Sequence, residues 1–265
     1  MYRTTFGDGW AMATEYSGGG DPARSLAVLW RMKDGTARRG RSDLSVDRIV
    51  RAAIELADAE GIAALSMRRV ADRLGVGTMS LYTYVPGKAE LLDAMLDTVY
   101  GETERPESGA GWRERLEQIA WQNWAMYHRH PWMLQVATGR AVLGPNVIAK
   151  YDHELRAVDG IGLTDVEMDS VLSLVLGHVE GAARRSVEAA QTERRSGLTD
   201  EQWWHAHAPL MGRIMDPGRF PVASRVGSAA GEVHGSAQNP AHAFEFGLQR
   251  ILDGIEVFVQ PRRPQ

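Results

Sequence analysis

The sequence predicts an all-α protein, with a small three-helix unit near its N-terminus and a larger helical region after it. Three observations carry that prediction. Apolar residues recur three and four apart along most of the chain, the spacing of one helix face. The runs tend to open on Ser or Thr and to close on Gly or Pro, residues that cap and stop helices. No segment alternates apolar and polar residues convincingly enough to make a strand.

Taken in order, residues 1–24 are rich in Gly, Thr, Ser and Asp and suit a loosely attached leader. Residues 25–32 suit a short helix carrying Leu26, Leu29 and Trp30, and 33–41 return to linker composition. Ser45 is a good N-cap, and Asp47 lies in the first turn, where the helix dipole favours it. Val46, Ile49, Val50, Ala53, Ile54 and Ala57 then mark one face of a four-turn helix that stops at Gly61. Ser66 caps a shorter helix at 67–74, ended by Gly75, and a third is expected at 78–84, broken by Val85, Pro86 and Gly87. A fourth starts near Lys88 and carries Leu91, Leu92, Met95, Leu96 and Val99, and residues 101–111 have linker composition.

Further helices are expected at 112–129, where Pro131 ends or bends the run, at 132–140 and at 146–158. A long one spans 164–193, with Thr164 and Glu167 spaced as a capping box. Its apolar residues Val171, Leu172, Leu174, Val175, Leu176 and Val179 lie nearly all round it, so more than one side must be covered. Residues 201–215 suit a helix, 217–239 a Gly/Ser-rich loop, and 241–259 a final helix that carries Phe244, Leu248, Ile251, Ile255 and Phe258.

Bulk properties exclude several function classes. The chain has 265 residues, 44% hydrophobic and 24% charged, as ordinary globular proteins do. No apolar run reaches the roughly 18 residues that span a bilayer, and no secretory pattern opens the chain, so a cytoplasmic location without membrane contact is expected. Without cysteine there are no disulfides, thiolate metal sites or cysteine nucleophiles. The net charge of −4 argues against indiscriminate coating of nucleic acid, yet basic residues cluster locally. Arg31, Lys33, Arg38, Arg39 and Arg41 precede the first strong helix, and Arg68, Arg69 and Arg73 share one short helix.

The informative segment is 66–88, SMRRVADRLGVGTMSLYTYVPGK. Two short helices meet across Gly75, Val76 and Gly77, a turn that lets them cross steeply. Ala71 is small where they approach, and Val70, Leu74, Val76 and Leu81 can form the seam. Left outside on the second helix are Thr78, Met79, Ser80, Tyr82, Thr83 and Tyr84, a short, uncharged, hydroxyl-rich set. Hydroxyls bond phosphates and base edges, and methyl and thioether groups pack on thymine methyls. Arg68 and Lys88 flank the set as cations for phosphate. By spacing alone the unit favours DNA, with a helical adaptor that docks another protein as the alternative.

Residues 45–100 closely resemble the N-terminal domain of the tetracycline-repressor (TetR) family, carried by the run LSMRRVADRLGVGTMSLYTYVPGKAELLDAM. The resemblance implies a recognition helix at 78–84, with Tyr82 and Lys88 where phosphate is usually touched. Ser66, Arg68, Thr78, Met79, Ser80 and Tyr84 match positions that contact double-stranded DNA. It also implies a homodimer on a near-palindromic operator, its two recognition helices about 34–36 Å apart. More weakly, 112–144 and the ending FEFGLQRILDGIEVFV resemble the branch that contains the tetracycline sensor. That implies a helical domain for ligand binding and dimerisation, whose long helices pair with a partner's, with Gly177, Gly181, Gly247 and Gly254 permitting close approach. The expected division is a flexible extension at 1–40, a DNA-binding domain at 41–90 and a ligand-binding and dimerisation domain at 91–265.

The family's usual repressor is released by a small-molecule effector. Candidates for such a pocket are Trp121, Trp124, His128, Trp132, Gln135 and His178, an aromatic wall with a few polar groups. The tetracycline sensor uses a histidine for its magnesium, whereas 135–139 here reads QVATG, so no metal or other cofactor is expected. No catalytic set appears either. His128 and His130, and likewise His205 and His207, are two apart and so on different helix faces, and no Gly-rich phosphate loop or GxSxG elbow occurs.

Overall fold

Local capping rules explain where most of the helices begin. The structure, a computed structural model, describes residues 15–16 (backbone only), 21–32, 44–103, 111–137 and 139–260. The described residues fall into two compact units, one from 1–110 with 125–158, the other from 111–124 with 159–265.

In the first unit, α1 (Pro22–Leu29) is capped by Asp21, with Pro22 in the first turn, and buries Val28 and Leu29. Helix α2 (Val46–Glu60) starts at Ser45, whose side chain accepts from the Arg48 N–H, and stops at Gly61. After a 3-10 turn at Ile62–Ala64 come α3 (Met67–Leu74), α4 (Thr78–Tyr82) and α5 (Lys88–Tyr100). α6 (Trp112–Arg129) follows, its last residues belonging to this unit, then a 3-10 turn at Pro131–Gln135 and α7 (Pro145–Leu155). Ile49, Val50 and Ala53 of α2, Val70 and Ala71 of α3, and Leu91, Leu92, Met95 and Leu96 of α5 share one core.

α5 is sheathed so fully that Asp97 on it is also buried. Its carboxylate caps α7, accepting from the backbone N–H groups of Asn146 and Val147, both at 3.0 Å. Burial raises its pKa above the usual carboxylate value, against the pull of those two N–H groups.

The second unit holds the start of α6 with α8 (Asp165–Ser196), α9 (Asp200–Ile214), α10 (Pro221–His234) and α11 (Pro240–Val259). The expected Thr164–Glu167 capping box is present at the start of α8. Val171, Leu172, Val175, Val179, Ala182, Ala183 and Val187 of α8 pack inward against Phe244, Leu248, Leu252 and Ile255 of α11. Arg113 on α6 forks onto α11, donating to Asp253 at 2.7 Å and Gln249 at 2.9 Å.

Several expectations need correction. Residues 217–239 are not a loop, since α10 occupies most of them. Pro221 sits at its first turn and Gly235, with φ 63°, ends it. The small residues that suggested a loop have a packing reason at Gly231, where a Cβ would come 2.6 Å from the Trp204 ring. Pro131 ends α6, and the helix expected at 132–140 is instead a 3-10 turn at Pro131–Gln135 followed by the strand pair Val136–Ala137. That pair is the one departure from an all-helical reading among the described residues: β1 (Glu15–Tyr16) pairs in parallel with β2 (Val136–Ala137). The first helix begins at Pro22 rather than residue 25, and α4 ends at Tyr82, with Thr83 and Tyr84 in the turn that follows.

Candidate nucleic-acid interface

The helix-turn-helix is assembled by short hydrogen bonds and a few buried anchors. Ser66 caps α3, its side chain accepting from the Arg69 N–H at 3.3 Å. Gly75 ends α3 in the left-handed region (φ 69°), which costs glycine nothing. The Val76 N–H then returns to the Ala71 carbonyl at 3.1 Å, folding the turn back on α3. Ala71 and Val70 are wholly buried, with Leu74 and Val76 packed partly against the same core, so the expected seam is present. α4 contributes one wholly buried residue, Leu81, and Val85 just after it is wholly buried too.

The remaining positions face outward to different degrees. Met79 is 78% exposed and Tyr82 43%, with Ser80 and Thr83 exposed and Thr78, Tyr84 and Ser66 half-buried. Lys88 opens α5 and is half-buried. The face that α4 presents therefore carries no formal charge of its own.

The arginines of α3 divide in a way their shared helix did not suggest. Arg69 donates to both carboxylate oxygens of Glu60, at 2.7 and 2.8 Å, and Arg73 to Glu55 at 2.9 Å, both acceptors on α2. Arg68 has only a loose 3.9 Å approach to Asp72, and its side chain is 85% exposed. Two of the three cations thus face acidic partners, and one faces out. Sequence reasoning missed Glu55 and Glu60. Their signal is a carboxylate near the end of one helix and arginines on the next, but it needs the crossing geometry to be read. The basic positions Lys33, Arg38, Arg39 and Arg41 lie outside the described residues.

Three of the six pocket candidates gather in the second unit. Trp124 stacks on Phe244 with ring centroids 4.3 Å apart, Trp121 meets the same ring edge-on at 4.8 Å, and His178 lies parallel to it at 6.0 Å. In the neutral ring, His178 donates from Nε2 to the Phe244 carbonyl at 2.9 Å, leaving Nδ1 as acceptor. Gly247 lets the histidine sit there, because a Cβ at that position would overlap the imidazole. The other three candidates belong to the first unit. Trp132 is buried and donates its ring N–H to Asp58 at 2.8 Å, while His128 and Gln135 are exposed. Phe244, the centre of the cluster, was read from sequence only as a core position.

Residues 49–95 match the family described as "Bacterial regulatory proteins, tetR family", and residues 105–259 match "Tetracyclin repressor-like, C-terminal domain". The chain belongs to the tetR family. A relative in Streptomyces coeruleorubidus, described as "HTH-type transcriptional repressor DrrR1", is 46% identical, covering 98% of this chain and 94% of that one. Among solved structures, apo ActR from Streptomyces coelicolor is 28% identical with a TM-score of 0.69, over 84% of this chain and 100% of its own. ActR in complex with actinorhodin is 29% identical with a TM-score of 0.68, over 81% and 96% respectively.

This tetR-family protein is therefore a DNA-binding transcriptional repressor, and its helix-turn-helix is the element described above. The C-terminal match also confirms the resemblance to the tetracycline-sensor branch. No helix among the described residues is long and apolar enough to cross a membrane.

Proposed function

We propose that this tetR-family repressor binds a near-palindromic operator as a homodimer and is released by an aromatic small molecule bound in the second unit. The observation that carries the reading is the α4 face, with Met79, Ser80, Tyr82 and Thr83 turned outward on a helix anchored by Leu81 alone. Thr78, Met79 and Ser80 serve as base-reading positions, and Ser66, Arg68, Tyr82, Thr83, Tyr84 and Lys88 hold the phosphate backbone. Phosphate contacts position the protein without reading sequence, whereas base-edge contacts discriminate.

The dimer reading rests on an apolar groove of about 440 Å³ along α8 and α11, lined by Val171, Leu174, Ile251, Gly254 and Phe258. Leu174 is 54% exposed, and Gly177 and Gly254 have no atom within 4 Å of where a Cβ would stand. A second copy packing its own α8 and α11 there covers the outer side of a helix that is apolar nearly all round.

The effector reading rests on Trp121, Trp124 and His178 around Phe244, an aromatic wall suited to a flat ligand. It draws support from ActR, whose structure is described in complex with actinorhodin. A ligand shifts the dimer off DNA only by binding the released conformation more tightly than the DNA-bound one.

The test is enrichment from a random duplex pool at moderate salt. The wild-type protein is expected to enrich one near-palindromic site. Tyr82→Ala combined with Lys88→Ala is expected to lose affinity uniformly across duplexes, while Thr78→Ala or Ser80→Ala shifts the preferred site. No enrichment by wild type, or full binding by the Tyr82/Lys88 double variant, would overturn the assignment.

A further inference from the structure

Helix α1 precedes the region that matches the family's N-terminal domain, which starts at residue 49, yet it is tied into the first unit at four places. Val28 and Leu29 are buried in the core that α2 and α5 share, and α1 packs along α5. Trp30 donates its ring N–H to the Leu143 carbonyl at 3.0 Å, just ahead of α7. Arg31 donates from Nε and Nη2 to one oxygen of Asp47 in the first turn of α2, at 2.8 and 2.7 Å. Upstream, β1 pairs with β2, so the backbone at 15–16 also joins the first unit.

Arg31 is the one non-glycine residue with positive φ among those described, at 50°. That conformation is costly for a residue with a Cβ and persists only where surrounding contacts enforce it. Here they do. The same guanidinium that grips Asp47 also donates from Nη1 to the Val28 carbonyl at 2.6 Å, closing the end of α1. Its charge reaches Asp97 as well, the carboxylate that caps α7.

The other end of α2 is held separately. His130 and Trp132, at and after the end of α6, both bond Asp58 at 2.8 Å. α2 is thus gripped at Asp58 near its end and at Asp47 in its first turn, with α3 and through it α4 packed on its flank. A helix held at one end can pivot; held at both, it moves with whatever holds it. We infer that Trp30 and Arg31 are positioning residues, a strap that makes the first turn of α2 and the segment 139–147 move as one body. The helix-turn-helix then follows displacements of that segment. This inference does not depend on which ligand, if any, occupies the second unit.

Hydrogen exchange on the full-length protein tests it without DNA. Trp30→Phe removes the N–H that reaches Leu143 and leaves the Arg31–Asp47 pair in place. It is expected to speed exchange several-fold not only at 143–147 but also at the amides of 48–50. Arg31→Gln is expected to do the converse, loosening 141–143, ahead of the two amides that Asp97 caps, although Arg31 hydrogen-bonds only to α1 and Asp47. Arg31→Lys, which keeps a cation beside Asp47, should restore part of the protection. Amides of α5 around Leu92 and Leu96 should not change. Loosening confined to each variant's own contact would overturn the inference. So would uniform loosening that includes α5, because the two residues would then be merely structural.

Discussion

Helix α4 and helix α8 use apolar side chains in opposite ways. α4 has five residues and one buried anchor, Leu81, and it turns Met79 and Tyr82 outward. α8 has 32 residues, a capping box at its start, a left-handed glycine at its end and a buried row from Val171 to Val187. A five-residue helix does not persist alone in water, since nucleation costs more than one turn returns. Helix α4 therefore borrows its order from the core it shares with α2 and α3, whereas α8 brings a long buried row of its own. Small changes around α4 should act on DNA binding directly, while comparable changes in α8 or α11 should be felt first as stability.

Removing the anchor makes the sharpest test of that contrast. Leu81→Ala is expected to cost about 2–5 kcal/mol, as for other fully buried leucines, and to abolish duplex binding in a gel-shift assay. Retention of DNA binding would show that α4 does not depend on Leu81, and the contrast would fail.

A smaller effect is expected at the other region. Gly247→Ala would drive a methyl into the His178 ring, an overpacking cost of roughly 1–3 kcal/mol visible as a lower Tm. Ligand-free duplex affinity should stay close to wild type. An equal loss of DNA binding would mean that the two regions are not separable.

The smallest effect sharpens the electrostatic side. Glu60→Gln removes a pair whose side chains are 43% and 46% exposed, so stability should change by only about 0–1 kcal/mol. Arg69 then becomes available to phosphate. Binding to mixed-sequence duplex should tighten, and the dependence of log affinity on log salt should steepen by about one. An unchanged salt slope would show that Arg69 does not face the DNA.

What the sequence made legible was what local rules govern. Ser45, Ser66 and Thr164 announced their helices because a cap bonds an N–H only three residues away. The helix at Trp112–Arg129 was legible from its apolar stripe and the proline that follows it. α10 was missed because its Gly, Ser and Ala content imitates a loop, while the reason for that content, the Trp204 ring against Gly231, lies 27 residues away. The outward turn of Met79, Ser80 and Tyr82 on α4 was legible because the turn at Gly75 fixes which face is buried, whereas Tyr84, expected outside, packs partly against the core. The pairing of Arg69 with Glu60 and of Arg73 with Glu55 was not, since it depends on how α2 crosses α3. Phe244 and His178 stand 66 residues apart, and no periodicity within either helix points to the other.

The acidic partners of Arg69 and Arg73 also bear on how the repressor finds its site in a genome. Each free cation displaces about one counterion from any duplex, whatever its sequence, so every arginine held by a carboxylate weakens the grip on the bulk chromosome. Random sites outnumber the operator by millions, and a protein too basic for its task is titrated away by them. With Glu55 and Glu60 holding two of the three guanidiniums of α3, fewer of its cations are left to grip DNA of any sequence.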